Sequence, residues 1–67
     1  MSQNEKILKH LEKGRTITPL QAFRLCGTLA LHSRVSELRQ RGHNIVGWMK
    51  YRGFKKWGVY KLTHRHG

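Results

Sequence analysis

Acidic residues are almost missing. The 67-residue chain holds three, Glu5, Glu12 and Glu37, against 14 lysines and arginines, for a formal net charge of +11. So few carboxylates argue against a metal-ion nuclease, which needs several acids to hold its ions. Cysteine occurs once, so no internal disulfide can form and no oxidising compartment is required. Cys26 lies in Ala22-Phe23-Arg24-Leu25-Cys26, where it is expected as a small buried hydrophobe rather than a reactive thiol. No apolar run approaches the ~18–20 residues of a membrane span, and the N-terminal stretch lacks the apolar core of a secretory signal. The expectation is an intracellular protein without a membrane partner.

Little is left over for linkers. There is one proline, Pro19, and no repeat or low-complexity tract. One domain over residues 1–67 is expected, with an ordered core at about 3–63. A chain of this length buries only about 60% of the surface it exposes when unfolded. Enclosing a substrate pocket of roughly 300–1,000 Å³ would strain such a core. No nucleophile–base pair, paired carboxylates or phosphate-loop glycine pattern is visible. The protein is therefore read as non-enzymatic, with no cofactor. His64 and His66 form an H-x-H tail beside scattered His10, His32 and His43, a weak ligand set without a nearby acid or cysteine, so no metal is expected.

What is abundant is positive charge, and it is placed unevenly. After Glu37 no acid occurs, while Arg39, Arg41, Lys50, Arg52, Lys55, Lys56, Lys61 and Arg65 follow. Such a chain repels itself when compact, and a polyanion relieves the repulsion while releasing its own counterions. DNA, RNA and an anionic membrane are the candidate partners; a merely solvated basic surface is the bland alternative.

The patterning predicts α+β structure. Ser2-Gln3-Asn4-Glu5 has the form of a capping box, and Ile7, Leu8 and Leu11 follow at helical spacing, with Lys6, Lys9, His10 and Lys13 facing away. Helix 1 is predicted at about 3–13, stopped by Gly14. Thr16-Ile17-Thr18 is β-branched, and Ile17 is a candidate for a short strand. Thr18-Pro19-Leu20-Gln21 reads as a second capped start, giving a helix at about 19–25 with Leu20 and Phe23 inward and Leu25 a further candidate for that face. After Gly27, Thr28 is expected to cap a third helix at about 29–41, whose Leu31, Val35 and Leu38 form one apolar stripe. Asn44–Tyr51 and Trp57–Thr63 read as two strands of a hairpin, joined by the basic turn Arg52-Gly53-Phe54-Lys55-Lys56.

Two helices joined at a glycine and followed by a hairpin have the spacing of a helix-turn-helix. Thr18-Pro19-Leu20-Gln21-Ala22, followed by Leu38-Arg39-Gln40-Arg41-Gly42-His43-Asn44-Ile45, resembles small bacteriophage and prophage helix-turn-helix proteins. These join an "ITPLEA"-like start of helix 2 to an "LRxxGxxI"-like exit from helix 3. The likeness spans about residues 3–63, and its second motif is widespread among winged-helix proteins. It implies a winged helix-turn-helix: three helices plus a C-terminal two- to three-stranded β-hairpin wing. It also implies a DNA-binding regulator that offers helix 3 to the major groove and the wing to the backbone or minor groove, in a bacterial host's cytoplasm or nucleoid.

The residues themselves supply candidates for contact with double-stranded DNA. On helix 3 and its start these are Thr28, Ala30, His32, Ser33, Arg34, Ser36, Glu37 and Gln40. Short polar side chains let a helix axis approach base edges. Ser33 and Ser36 can donate or accept, His32 can reach base acceptors, Gln40 can pair with adenine, and Ala30 or Leu29 can touch a thymine methyl. Glu37 is read as an intrahelical partner of Arg34 or Arg41 rather than a base reader. Arg34 either holds a phosphate or braces helix 2. In the wing, Arg52, Lys55 and Lys56 are phosphate candidates. At the start of helix 2, Arg15, Thr16 and Thr18 join the free amides as a third set. Phe54 either packs beneath the wing, which is the expected case, or inserts at a groove edge. Trp48, Tyr51, Trp57 and Tyr60 are expected in the core or in cross-strand pairs; several of them exposed on one sheet face would favour single-stranded nucleic acid. A homodimer or tandem binding would raise the affinity of so small a unit. The rival readings are an excisionase-like architectural factor, a basic module that blocks host machinery, and an RNA binder.

Overall fold

A computed structural model describes residues 2–63, in the order α1 (Gln3–Glu12), β1 (Thr16–Ile17), α2 (Pro19–Cys26), α3 (Leu31–Gln40), β2 (Ile45–Arg52) and β3 (Lys55–Leu62). The three strands form one antiparallel sheet in the order β1-β3-β2. The H-x-H tail lies outside the described residues.

The α1 boundaries follow from its ends. Ser2 accepts the Glu5 amide at its hydroxyl, 3.2 Å away, and also donates to the Glu5 carboxylate. Ile7 and Leu11 are buried as the spacing requires, and Leu8 packs at the edge of the core. Lys6, Lys9 and Lys13 are exposed. His10, expected to face solvent with them, is half-buried and donates from Nε2 to the Thr16 carbonyl oxygen at 2.9 Å, tying α1 to β1.

For α2, both halves of the capping box form: Thr18 Oγ1 accepts the Gln21 amide, and the Gln21 side chain accepts the Thr18 amide. Its inward face differs from expectation. Leu20 is 59% exposed, Phe23 50% and Leu25 38%, while Ala22 is fully buried and Cys26 packs half-buried beside it. Ala22 and Cys26 lie one turn apart on one face, where small side chains let α1 come close; Gln3 of α1 donates to the Cys26 carbonyl across that seam.

The third helix begins later than expected. Thr28 is not its cap: the Thr28 hydroxyl accepts the Ala30 amide at 3.1 Å, a local turn that holds the chain out of helical geometry, and Thr28 is buried. Ala30 occupies the cap position with no side-chain hydrogen bond. Leu31, Val35 and Leu38 are buried as one stripe, each contributing about 1.5–3 kcal/mol of transfer free energy. A Schellman closure ends α3, with the Gly42 amide on the Arg39 carbonyl, the His43 amide on the Leu38 carbonyl, and Gly42 at φ 96°. The Arg39 side chain then reaches forward and donates from Nε to the Ile45 carbonyl at 2.9 Å, fixing where β2 starts.

The hairpin is longer and its turn tighter than the sequence suggests. Arg52 belongs to β2, Lys55 and Lys56 belong to β3, and only Gly53 and Phe54 make the turn. Gly53 has φ 59° and Phe54 has a negative φ, the sign pattern of a type II′ turn with glycine at its first central position. The base of the hairpin is clamped by Asn44 and Thr63 through backbone and side-chain hydrogen bonds. Ile45, Ile17, Tyr60 and Leu62 join the helical core there. Beyond that base every β2 residue after Ile45 is exposed, whereas β3 keeps Val59 buried and Trp57 half-buried before both strands project toward the turn.

Candidate nucleic-acid interface

At about 100° per residue, burial of Leu31, Val35 and Leu38 divides α3 into three exposed sectors. Ser33 and Gln40 point directly away from the core, and Ser36, half-buried, flanks them. His32 and Arg39 border the wing. Arg34 and Glu37 border α1.

The α1 border is occupied by protein contacts. Glu37 pairs with Arg34 and accepts from Asn4 Nδ2 at 2.8 Å. The expected intrahelical ion pair is present, and the bond to Asn4 is an addition the sequence does not announce. With its carboxylate held from two sides, Glu37 neutralises Arg34 and anchors α3 to α1. Arg34 is paired within α3, and among the described residues no side-chain hydrogen bond or ion pair runs from it to α2.

The wing border is built around Tyr60. Adjacent side chains of β2 and β3 alternate faces, so Gly47, Met49, Tyr51, Lys56, Gly58 and Tyr60 share one face. The Tyr60 ring lies flat against that face. A Cβ added at Gly47 would meet Tyr60 Cδ1 and Cε1 at 2.9 Å, and one at Gly58 would meet Cε2 at 3.5 Å. From this bed the Tyr60 hydroxyl shares a hydrogen bond with His32 Nδ1 at 3.3 Å, and the Arg39 guanidinium sits 5.9 Å from the ring centroid. Tyr60 thus joins α3 to the hairpin, alongside the Arg39 bond to the Ile45 carbonyl. Gly47→Ala should displace that ring and cost about 1–3 kcal/mol, lowering the melting midpoint by roughly 4–20 °C. A thermal melt checks this; an unchanged midpoint would mean that the ring is not held there.

Between α3 and the wing lies a shallow groove of about 210 Å³, lined by Arg39, Gly47, Trp48, Met49, Gly58 and Tyr60. The opposite wing face carries Trp48, Lys50, Arg52, Lys55, Trp57 and Val59. Val59 is buried there opposite Trp48, with Trp57 half-buried at the diagonal position. Trp48 and Trp57 thus occupy diagonal cross-strand positions on that face, with Trp48 41% exposed. Tyr51 is exposed on the other face, and no continuous aromatic platform forms. Phe54 corrects the expectation most sharply: it does not pack beneath the wing but stands fully exposed at its tip.

Arg52 and Lys55 face each other on the rung next to the turn, and Lys56 lies opposite Tyr51 on the next. Like charges directly opposite on a ladder destabilise it, so this rung favours an anion between them. No acid occurs anywhere in the hairpin to supply one.

The third candidate set is dispersed. The Thr18 hydroxyl serves the α2 cap, the Thr16 carbonyl serves His10, and Arg15 turns toward α1. There it lines a groove of about 260 Å³ with Lys6, Lys9, His10, Lys13 and Leu25. Thr28, on the first set, is buried and has no exposed hydroxyl to offer.

A family model described as a winged helix-turn-helix domain matches residues 2–63. The chain belongs to this family. Neither a curated protein nor a solved structure matches it. In this winged helix-turn-helix protein, α2 and α3 are the paired helices and the β2–β3 hairpin is the wing; the fold is a DNA-binding one, usually without enzymatic activity. Among the described residues no group of histidine, cysteine and acid side chains is placed to hold a metal, and no helix is long and apolar enough to cross a membrane.

Proposed function

We propose that this protein is a sequence-specific regulator of transcription that binds double-stranded DNA, with α3 in the major groove and the wing on the phosphate backbone. One observation carries the reading: a helix face of short polar side chains stands beside a projecting hairpin that has cations on both faces and no acid. Ser33, Ser36, Gln40 and His32 are the base-edge candidates, and Ala30 can meet a thymine methyl. Arg52, Lys55 and Lys56 take phosphates. The likeness of the Thr18–Ala22 and Leu38–Ile45 runs to phage and prophage proteins supports a phage or prophage gene, acting in the bacterial cytoplasm or nucleoid. Paired copies on repeated half-sites would supply the affinity that one small unit lacks.

The deciding experiment is selection of bound duplexes from a random library at about 0.15 M salt, where the Debye length is near 8 Å and non-specific attraction is partly screened. An enriched motif is expected, and its half-site spacing would give the number of copies bound. Tight binding without a motif would favour an architectural role. Failure to bind duplex would overturn the reading in favour of a protein or RNA partner. Within the motif, His32→Ala or Ser33→Ala should change the preferred base at one position by about 1–3 kcal/mol and leave the salt slope unchanged. Repeating the selection with each variant checks this; an unchanged motif would remove that residue from base readout.

A further inference from the structure

Phe54 is the least protected large hydrophobe in the described residues, and nothing about the turn requires it. A type II′ turn needs glycine at its first central position, which Gly53 supplies; the second position is open to polar residues. A phenyl ring there gains nothing from the free protein. Its neighbours are cations: Arg52 and Lys55 flank the turn, with Lys56 and Lys50 on the next two rungs. A bare aromatic ring ringed by cations matches a surface that is polyanionic outside and apolar within. A stacked base step seen from the minor groove has that character.

We infer that Phe54 is a wedge that enters the minor groove and partly unstacks one base step, so that binding kinks the duplex. The inference rests on the proposed DNA-binding reading and extends it. The reach is adequate. Measured from Met49, next to the Gly47–Tyr60 rung, the five steps to Phe54 span roughly 17 Å at about 3.4 Å each. Half a turn of B-DNA, from a major groove to the neighbouring minor groove, is also about 17 Å. The direction is held as well. Tyr60 rests on Gly47, bonds to His32 and stacks near Arg39, so the wing is fixed relative to the helix that would sit in the major groove. A rigid wing can transmit the force that a wedge needs, whereas a loosely attached one would swing away.

The division of labour within the wing gives the test its shape. Lys55 and Lys56 would supply affinity that depends on salt. Phe54 would supply deformation that does not, because it neutralises no phosphate. Flexible pyrimidine–purine steps would be preferred where the tip lands, since they unstack most easily.

The experiment uses the full chain and a duplex recovered by the selection, labelled at both ends for energy transfer, with 2-aminopurine placed at successive steps under the wing. Wild-type protein should shorten the end-to-end distance, corresponding to a kink of about 20–90°, and raise 2-aminopurine fluorescence at one step. Phe54→Ala should abolish both signals and weaken binding about tenfold, with the salt slope unchanged. Its fold should be intact, because the ring touches no core. Phe54→Leu should keep most of the kink, since an apolar wedge need not be aromatic. A Phe54→Ala variant that still binds and kinks like wild type would overturn the wedge while leaving DNA binding in place. A variant that instead loses self-association, with the kink retained, would reassign Phe54 to contact with a second copy. Absence of wild-type binding to any duplex would overturn the underlying DNA reading itself, a result visible before any variant is made.

Discussion

Replacing Lys55 and Lys56 together by alanine should weaken binding to every duplex by roughly 50-fold at 0.1 M salt, and lower the slope of log affinity against log salt by about two. The size follows from counterion release. Each neutralised phosphate contributes about 0.9 to that slope, so two contacts change affinity by nearly two orders of magnitude at 0.1 M relative to 1 M salt. The two lysines alternate across the sheet: Lys55 lies opposite Arg52 on one face and Lys56 opposite Tyr51 on the other. A wing lying along a groove can thus reach a phosphate with each face.

The free protein should not suffer from this substitution. Lys55 faces a like charge, and removing it relieves repulsion at that rung. A melting midpoint that is unchanged or slightly raised would accompany the loss of affinity, and this separates a lost contact from a damaged fold. The measurement is a salt titration of binding to two unrelated duplexes. Parallel losses on both would fit backbone contact. Unchanged affinity at low salt would remove the wing from the phosphate interface, and a loss confined to one sequence would make these lysines base readers.

Much of the architecture is legible in the sequence because it is encoded locally. The capping pairs Ser2–Glu5 and Thr18–Gln21 each lie within four residues; the box closes fully at Thr18–Gln21, while at Ser2 the hydroxyl takes the Glu5 amide and the Glu5 carboxylate bonds that hydroxyl instead of the Ser2 amide. The α3 stripe is a clean period of Leu31, Val35 and Leu38, and the β-branched and aromatic tail pairs as a hairpin with Ile17 adding the edge strand. What the sequence hides is set by packing between distant segments. Eight residues of α2 carry apolar side chains on every side, so period alone cannot say that Ala22 and Cys26, not Leu20 and Phe23, meet α1. Thr28 has two legitimate bonding options, a helix cap or an i to i+2 turn, and only the tertiary path selects the turn.

The candidate site shows the same division. The polar face of α3 and the cationic wing follow from periodicity and composition. The Tyr60 junction does not, because it brings together His32, Arg39, Gly47 and Tyr60 from three elements. Gly47 in a strand was a signal that could have revealed it, since an interior strand glycine often marks a close approach by another group. Arg39 resembled a helix-end cation and proves to be a latch on Ile45 as well.

Leu38→Ala should unfold a substantial fraction of the free protein, and added salt should refold it. Leu38 is 1% exposed at the C-terminal end of the α3 stripe. Truncating such a leucine costs about 2–5 kcal/mol. A chain of 67 residues has only about 3–10 kcal/mol to lose, at about 0.05–0.15 kcal/mol per residue. The melting midpoint should fall by about 10–30 °C. The net charge of +11 sets the direction of the salt effect. Among the described residues Arg34–Glu37 is the only ion pair, so screening removes far more repulsion than attraction, and the midpoint of the free variant should rise with ionic strength. A saturating duplex should raise it too, by about 2.7 kcal/mol of stabilisation when present at a hundred times its dissociation constant. These two rescues must oppose one another: salt that helps the free protein weakens its hold on DNA. Melts across a salt series, with and without duplex, should therefore converge as salt increases. Stability of the free protein that fell with salt would mean that attraction within the fold, and not self-repulsion, dominates its electrostatics, and the argument that its charge is an adaptation to a polyanion would lose its physical basis.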